Sequence, residues 1–542
     1  MRQLITIYRT SFLFRNKSPV IPIKVFIFAS YSTYMKSKFQ HSSTGKIILP
    51  DWQKTHPPGM LCASDLYYMQ LSNKILAVLT KNKGENFFTT QLKRAISVRI
   101  AAYFEDVISG FGLWKAFISI HQKMYGKYLP FLNVTTDEYY DDEINCADVQ
   151  FLIWAYIQQD FIDTNDNRFI NPENPYLAIL ASELYELLDS EYETAPANDD
   201  LFYFIHQTDF KNDIISSRNL LDWLHYDSYL SMSYPRLSLM EELKGLKKGE
   251  SKTFFEQNSE ILSYAMEKIG IFSKSCSPIA IKANEWAAQI FTGTPNATLF
   301  ASMKFTQIAN YNLVGLDTET FTLVDVGNKK YSVTVDSVSS PEVLPDSKSA
   351  MCSLLYFNGL WHINGFASFM QEQFDFKKMP SEDETTESNN YVYSHVLKVF
   401  KEEISYYDTS NNLKKALLSL FPTSDKNKLI PPDFNQLSNF VLFVHPETGL
   451  SIFPEIAAYL SDSRNPYYSI DAVEQKGIGM LTGYYKLPKE LLEYLIDRQF
   501  LKDISLNSLH GKEYGKKLLQ ENIRFIVRFF QPHLYNQKVF VG

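Results

Sequence analysis

Between Ser64 and Lys81 the apolar side chains Tyr67, Leu71, Ile75, Val78 and Leu79 recur three or four positions apart, the spacing of one helix face. Ser64 or Asp65 is placed to cap the first turn. The pattern repeats after Thr89, where Leu92, Ile96, Ile100, Tyr103 and Val107 make a stripe and Lys93, Arg94, Arg99 and Glu105 are expected to point elsewhere. A third helix is predicted after Asn145, with Asp148 at its third position and Val149, Leu152, Ile153 and Tyr156 inward. A fourth opens with Asn174 as cap and Pro175 in the first turn, then carries Leu177, Leu180, Leu184, Leu187 and Leu188. These periods predict a helical domain over 46–292.

After Gly293 the pattern changes to short alternating runs rich in Val, Phe, Tyr and Thr. Phe321–Val326 and Tyr331–Val335 flank a Gly327-Asn328 turn, and Ser353–Ile363 folds about Asn358-Gly359, a strong hairpin signal. A small antiparallel sheet or barrel is predicted over 293–376. Residues 377–391 are too polar to pack and read as an acidic linker. Helical spacing returns at 392–406, 413–420, 487–501 and 514–530, giving a mainly helical C-terminal domain over 392–542. The fold class is α+β: predominantly helical, with a small antiparallel β module between helical N- and C-terminal domains.

Composition narrows the function classes. The chain has 542 residues, 45% of them apolar and 15% aromatic, enough for a large core and large contact surfaces. Its 53 basic and 61 acidic residues leave a net charge of −8, so nucleic acid is not an expected partner and an unknown protein partner is. Cys62, Cys146, Cys276 and Cys352 are scattered through the chain, so spacing offers no zinc site and no redox pair; no metal and no cofactor are expected. Scattered thiols suit the reducing cytoplasm, and no apolar run is long enough to span a membrane. Residues 1–45 are basic. A signal peptide and a disordered arm are alternatives, but Met35 opens a polar leader into the first helix, so this segment is expected to lie outside the working protein.

Candidate chemistry is sparse. Asp317 and Glu319, two apart on a strand, could face one way and hold two metal ions for phosphodiester hydrolysis, and they resemble the first motif of the DEDD exonucleases. No middle motif accompanies them. Trp361, His362 and Asn364 could present an aromatic ring and two polar groups at a sheet edge to a ligand or peptide. Asp163–Asn167 opens like a calcium loop, but Arg168 stands where that loop needs glycine and Asn174 where it needs glutamate. Gly477, Gly479 and Gly483 nearly spell a dinucleotide fingerprint, with Thr482 where its third glycine belongs.

Several phrases resemble a bacterial family, the domain of unknown function 3843: Ser64–Tyr68 with Ser72–Ile75, Tyr128–Phe131, Val149–Trp154, Ile170–Asn174, Trp361–Gly365 and Asn465–Tyr468. The resemblance implies a bacterial protein without assigned catalytic residues. The expectation that follows is a non-catalytic binding or scaffolding protein, with a metal-dependent nuclease or phosphodiesterase using Asp317 and Glu319 as the alternative.

Overall fold

The computed structural model describes residues 45–81, 88–135, 137, 139–164, 166, 168–232, 235, 252–376, 382–422 and 429–539, with the backbone alone for 252–262 and 382–386. The basic N-terminal segment up to residue 44, and Asn165 and Asn167 of the calcium-like loop, lie outside the described residues. The described chain forms two compact units, one of 45–374 with 535–539 and the other of 375–534. The fold is α+β, with helices dominating and two separate sheets.

The first unit starts with a helical layer: α1 (Leu49–Trp52), α2 (Asp65–Lys81), α3 (Thr90–Ser109), α4 (Leu113–Tyr125), α5 (Cys146–Asp163), α6 (Pro175–Tyr192), α7 (Asp199–Gln207) and α8 (Ile214–Tyr226). After these come α9 (Lys252–Ser273), α10 (Ala283–Ile290) and α11 (Pro295–Ser302). The caps read from sequence are in place: the Thr89 hydroxyl accepts from Leu92 N, and the Asn174 side chain accepts from Tyr176 N beside Pro175. Helices α3 and α5 are buried over most of their surface. Arg94 and Glu105, expected off the apolar stripe of α3, are buried at 4% and 1% exposure. Period alone cannot foresee this, because it reflects partners that arrive from other segments.

The β module has six strands, β1 (Lys304–Phe305), β2 (Ala309–Leu316), β3 (Thr320–Val324), β4 (Lys330–Thr334), β5 (Ser349–Phe357) and β6 (Leu360–Met370), in the order β1-β5-β2-β3-β4-β6. Strand β5 also pairs antiparallel with β6, and β4 meets β6 in parallel at Val333 and Trp361. Five strands therefore close into a small barrel, filled by Tyr311, Phe321, Leu323, Val333, Cys352 and Leu354. Both predicted hairpins are present. Asn358 and Gly359 take positive φ, 45° and 93°, as the two-residue turn requires.

Strand β6 lies against α9 at Gly365, whose φ is 81°; a Cβ there would stand 3.1 Å from the Lys268 side chain and 3.2 Å from the Ala265 backbone. The final described residues, 535–539, return to this unit, where Val539 O accepts from Ile308 N and Ser273 O accepts from Gln537 N.

The second unit contains α12 (Glu382–Phe400), β7 (Ile404–Thr409), α13 (Ser410–Leu420), β8 (Ser438–His445), β9 (Gly449–Phe453), α14 (Ile470–Lys476), α15 (Lys489–Asp497) and α16 (Lys512–Phe530). The expected linker is helical from Glu382, and the helix predicted over 392–406 ends at Phe400 and gives way to a strand. The antiparallel sheet β7-β8-β9 was not anticipated. Its central strand β8 buries Phe440, Leu442 and Val444 with Val396 and Leu417 of α12 and α13, while the Phe443 ring lies tilted 5.3 Å from that of Tyr494 in α15. A strand covered on both faces loses the alternation that marks a half-exposed one. The fingerprint-like glycines pack tightly instead: a Cβ on Gly477 would lie 3.1 Å from Val473 and 3.2 Å from Ile504.

The close approach of β6 and α9 sets a stability test. Gly365→Ala is expected to cost about 2 kcal/mol in chemical denaturation, through its positive φ and the crowding together. Gly359→Ala, with a positive φ and open space around it, should cost about 1 kcal/mol.

Candidate functional site

The β2–β3 hairpin carries Asp317 and Glu319, both exposed. The Asp317 carboxylate is engaged by its own turn: it accepts from Glu319 N at 2.8 Å, Thr320 N at 2.7 Å and Thr320 Oγ1 at 3.0 Å. The Thr320 and Glu319 amides hold its carboxyl below the usual range. This is a turn-capping role.

Trp361 faces Tyr331 and Tyr356, with ring centroids 5.1 and 5.3 Å away, and it packs against the barrel core. Its strand is paired on both sides at that position, to Val333 and to Tyr356, so no free edge exists there. His362 is half-buried, and burial followed by the nearby Arg218 charge pushes its imidazole down to about 4. Asn364 is fully buried and its amide donates to Ser353 Oγ at 3.4 Å. The three do not share a surface.

A different constellation forms where the segment before α2 meets α3. His56, Cys62 and Asp65 are all buried, and they bring Nδ1, Sγ and a carboxylate oxygen within 4.8 Å of one another. Nδ1 of His56 lies 3.7 Å from Cys62 Sγ and 3.3 Å from Asp65 Oδ1. On the other side of the ring, Nε2 lies 2.9 Å from Glu105 Oε2. Outer contacts hold each group: Asn198 Nδ2 donates to Glu105 Oε1, while Trp52 Nε1, Gln53 Nε2 and Cys62 N donate to Asp65. Burial disfavours the His56 charge, but the Glu105 and Asp65 carboxylates outweigh it and hold the imidazole protonated well above its ordinary range. Asp65 is held below its ordinary range against burial, chiefly by His56 and Gln53. These are the side chains that could hold a metal ion. The signal in the sequence was local, a histidine, a cysteine and an aspartate within ten positions before a helix, but Glu105 and Asn198 are remote in sequence.

Two further buried carboxylates lie on α3 and α5. Asp106 accepts from Gly112, Leu113 and Trp114 N at 2.9, 3.2 and 2.8 Å, which caps α4, and from Tyr229 OH at 2.7 Å. Asp148 accepts from Tyr103 OH at 2.7 Å and Tyr139 OH at 2.8 Å. Burial outweighs these donors and pushes the two carboxyls up to about 6 and about 7.

Comparison with known families places this architecture. The model of the family described as protein of unknown function (DUF3843) matches residues 46–319 and 371–531. The chain belongs to this family. The DUF3843 match includes His56, Cys62, Asp65, Glu105 and both buried aspartates, and leaves out 320–370, the stretch holding β3 to β6 and Trp361–Gly365. No curated protein and no solved structure matches the chain.

Asp148 makes a pH prediction for this DUF3843 member. A carboxyl raised in the folded state takes up its proton on folding, so stability falls as pH rises through the folded value. With Asp148 near 7 and an unfolded carboxyl near its ordinary value of about 4, the cost begins above about pH 4, grows through pH 5 and 6, and is nearly full at pH 8. Asp148→Asn removes the charge and keeps the shape. The variant should gain about 2 kcal/mol relative to the parent between pH 5 and pH 8, measured by denaturant titration at each pH.

Proposed function

We propose that this chain is a non-catalytic binding or scaffolding protein, with a protein as its partner. The observation that carries the reading is the β2–β3 hairpin. A phosphodiesterase would use Asp317 and Glu319 there to gather metal ions, but the Asp317 carboxylate is spent on its own turn amides. Beside it, Val314 and Leu316 stand 56% and 41% exposed on β2, apolar side chains suited to burial by a partner. Val314 sits in the bulge between Leu313 and Gly315, which turns it outward.

A cytoplasmic, bacterial setting belongs to the same proposal. The four free cysteines, three of them buried, favour a reducing compartment. Among the described residues no helix is long and apolar enough to cross a membrane.

Two measurements test the reading. Incubation of the purified chain with single-stranded DNA or RNA and Mg²⁺ or Mn²⁺ is expected to give no hydrolysis; turnover that disappears in Asp317→Asn would establish the alternative, a metal-dependent nuclease. Affinity purification from the native cell should recover a protein partner whose capture falls about tenfold or more with Val314→Asp, the loss of one well-packed apolar contact. Undiminished capture would remove the hairpin from the interface.

A further inference from the structure

We propose that His56 Nδ1, Cys62 Sγ and a carboxylate oxygen of Asp65 bind a single zinc ion, with Glu105 as the carboxylate that orients the imidazole. This goes beyond the binding role assigned above and involves none of the hairpin residues.

The geometry supplies the first argument. Zinc bonds of about 2.0 Å to nitrogen, 2.3 Å to sulfur and 2.1 Å to oxygen, set tetrahedrally, separate the ligand atoms by about 3.5 Å, with the nitrogen–sulfur edge slightly longer than the nitrogen–oxygen edge. Here those edges are 3.7 Å and 3.3 Å. The sulfur and carboxylate donors therefore both stand at zinc-binding spacing from the imidazole nitrogen, and all three ligand atoms lie within 4.8 Å of one another.

The surroundings of the imidazole fit a ligand as well. A histidine that ligates a metal through one nitrogen commonly gives the other N–H to a carboxylate, which sets the ring's orientation. Glu105 Oε2 lies 2.9 Å from His56 Nε2, and Asn198 Nδ2 in turn holds Glu105 Oε1 at 2.9 Å. That arrangement leaves Nδ1 toward Cys62 and Asp65. Asp65 is likewise held, by Trp52 Nε1 and Gln53 Nε2 at 3.1 Å each. The loop between the ligands is also tied, through Met60 N to Pro57 O and Asp65 N to Cys62 O.

The softness of the donor set selects the metal. A thiolate and an imidazole select zinc over calcium or magnesium, which prefer oxygen. Zinc is bound by the thiolate form of a cysteine and the neutral form of an imidazole. Three protein ligands leave one coordination position for water or another donor. Among the described residues, this is the one group of histidine, cysteine and acid that gathers in this way.

The test uses the full chain without a polyhistidine tag, loaded with zinc sulfate and dialysed exhaustively against metal-free buffer. Inductively coupled plasma mass spectrometry is expected to find one zinc per chain. Loading with cobalt(II) is expected to give a thiolate-to-cobalt charge-transfer band. Cys62→Ser should abolish the band and the stoichiometric zinc, Cys146→Ser should keep both, and Glu105→Gln should weaken zinc binding about 10- to 100-fold in competition with a chromophoric chelator. A parent chain that retains no zinc and shows no band overturns the proposal and leaves a buried ion pair. Because the parent chain decides that outcome, a variant that fails to fold does not leave the question open. A folded Cys62→Ser chain that binds zinc as the parent does overturns it equally.

Discussion

Helix α3 carries Arg94, Glu105 and Asp106 out of water, and a charge buried in a protein interior must be met there by opposite charge or by hydrogen bonds. Each of the three is met by a different part of the chain. Arg94 pairs with Asp51 at 2.9 Å and donates to the carbonyls of Gly45 and Lys46; Glu105 meets His56 and Asn198; Asp106 caps α4 and takes the Tyr229 hydroxyl. Removing one partner of such a pair costs about 3–5 kcal/mol, a large part of what keeps a domain folded. The segment before α2, the start of α7 and the loop after α8 are thus held to α3 by electrostatic necessity as well as by apolar contact.

That constraint orders the loop from His56 to Asp65. An uncovered loop of this length with two prolines and a glycine would sample many conformations. Here Thr55 O accepts from Trp223 Nε1 of α8, the Trp52 ring stacks 5.6 Å from Tyr68, and Asp65 receives donors on both oxygens. The result is a preorganised cluster of nitrogen, sulfur and oxygen donors inside a helical layer. The barrel uses another device: its ring of strands removes the sheet edges, and its hairpin turns satisfy themselves with local hydrogen bonds, leaving isolated apolar side chains to face solvent.

Local interactions were legible in the residues. Asn174 with Pro175, Thr89 with Leu92 and the Asn358-Gly359 turn each act within a few positions, so residue type and spacing suffice to place them. Burial on both faces was not legible. The run Phe440–Val444 is apolar throughout, and neither a period of two nor one of 3.6 identifies such a run, so the second sheet stayed hidden behind helical expectations. Glu105 departs from the expected pattern for a related reason, since its helix is buried over most of its surface and an apolar stripe describes only helices with one wet face.

Of the candidate site, the sequence by itself determined little more than residue types: a histidine, a cysteine and an aspartate close together, and an acidic pair at a hairpin. Tertiary structure decided what each could do. It turned the acidic pair into a water-exposed turn and brought Glu105 and Asn198 across to the imidazole of His56. The reason is physical: caps and turns depend on neighbours in the chain, whereas the charge state and ligand geometry of a buried group depend on which distant segments exclude water from it.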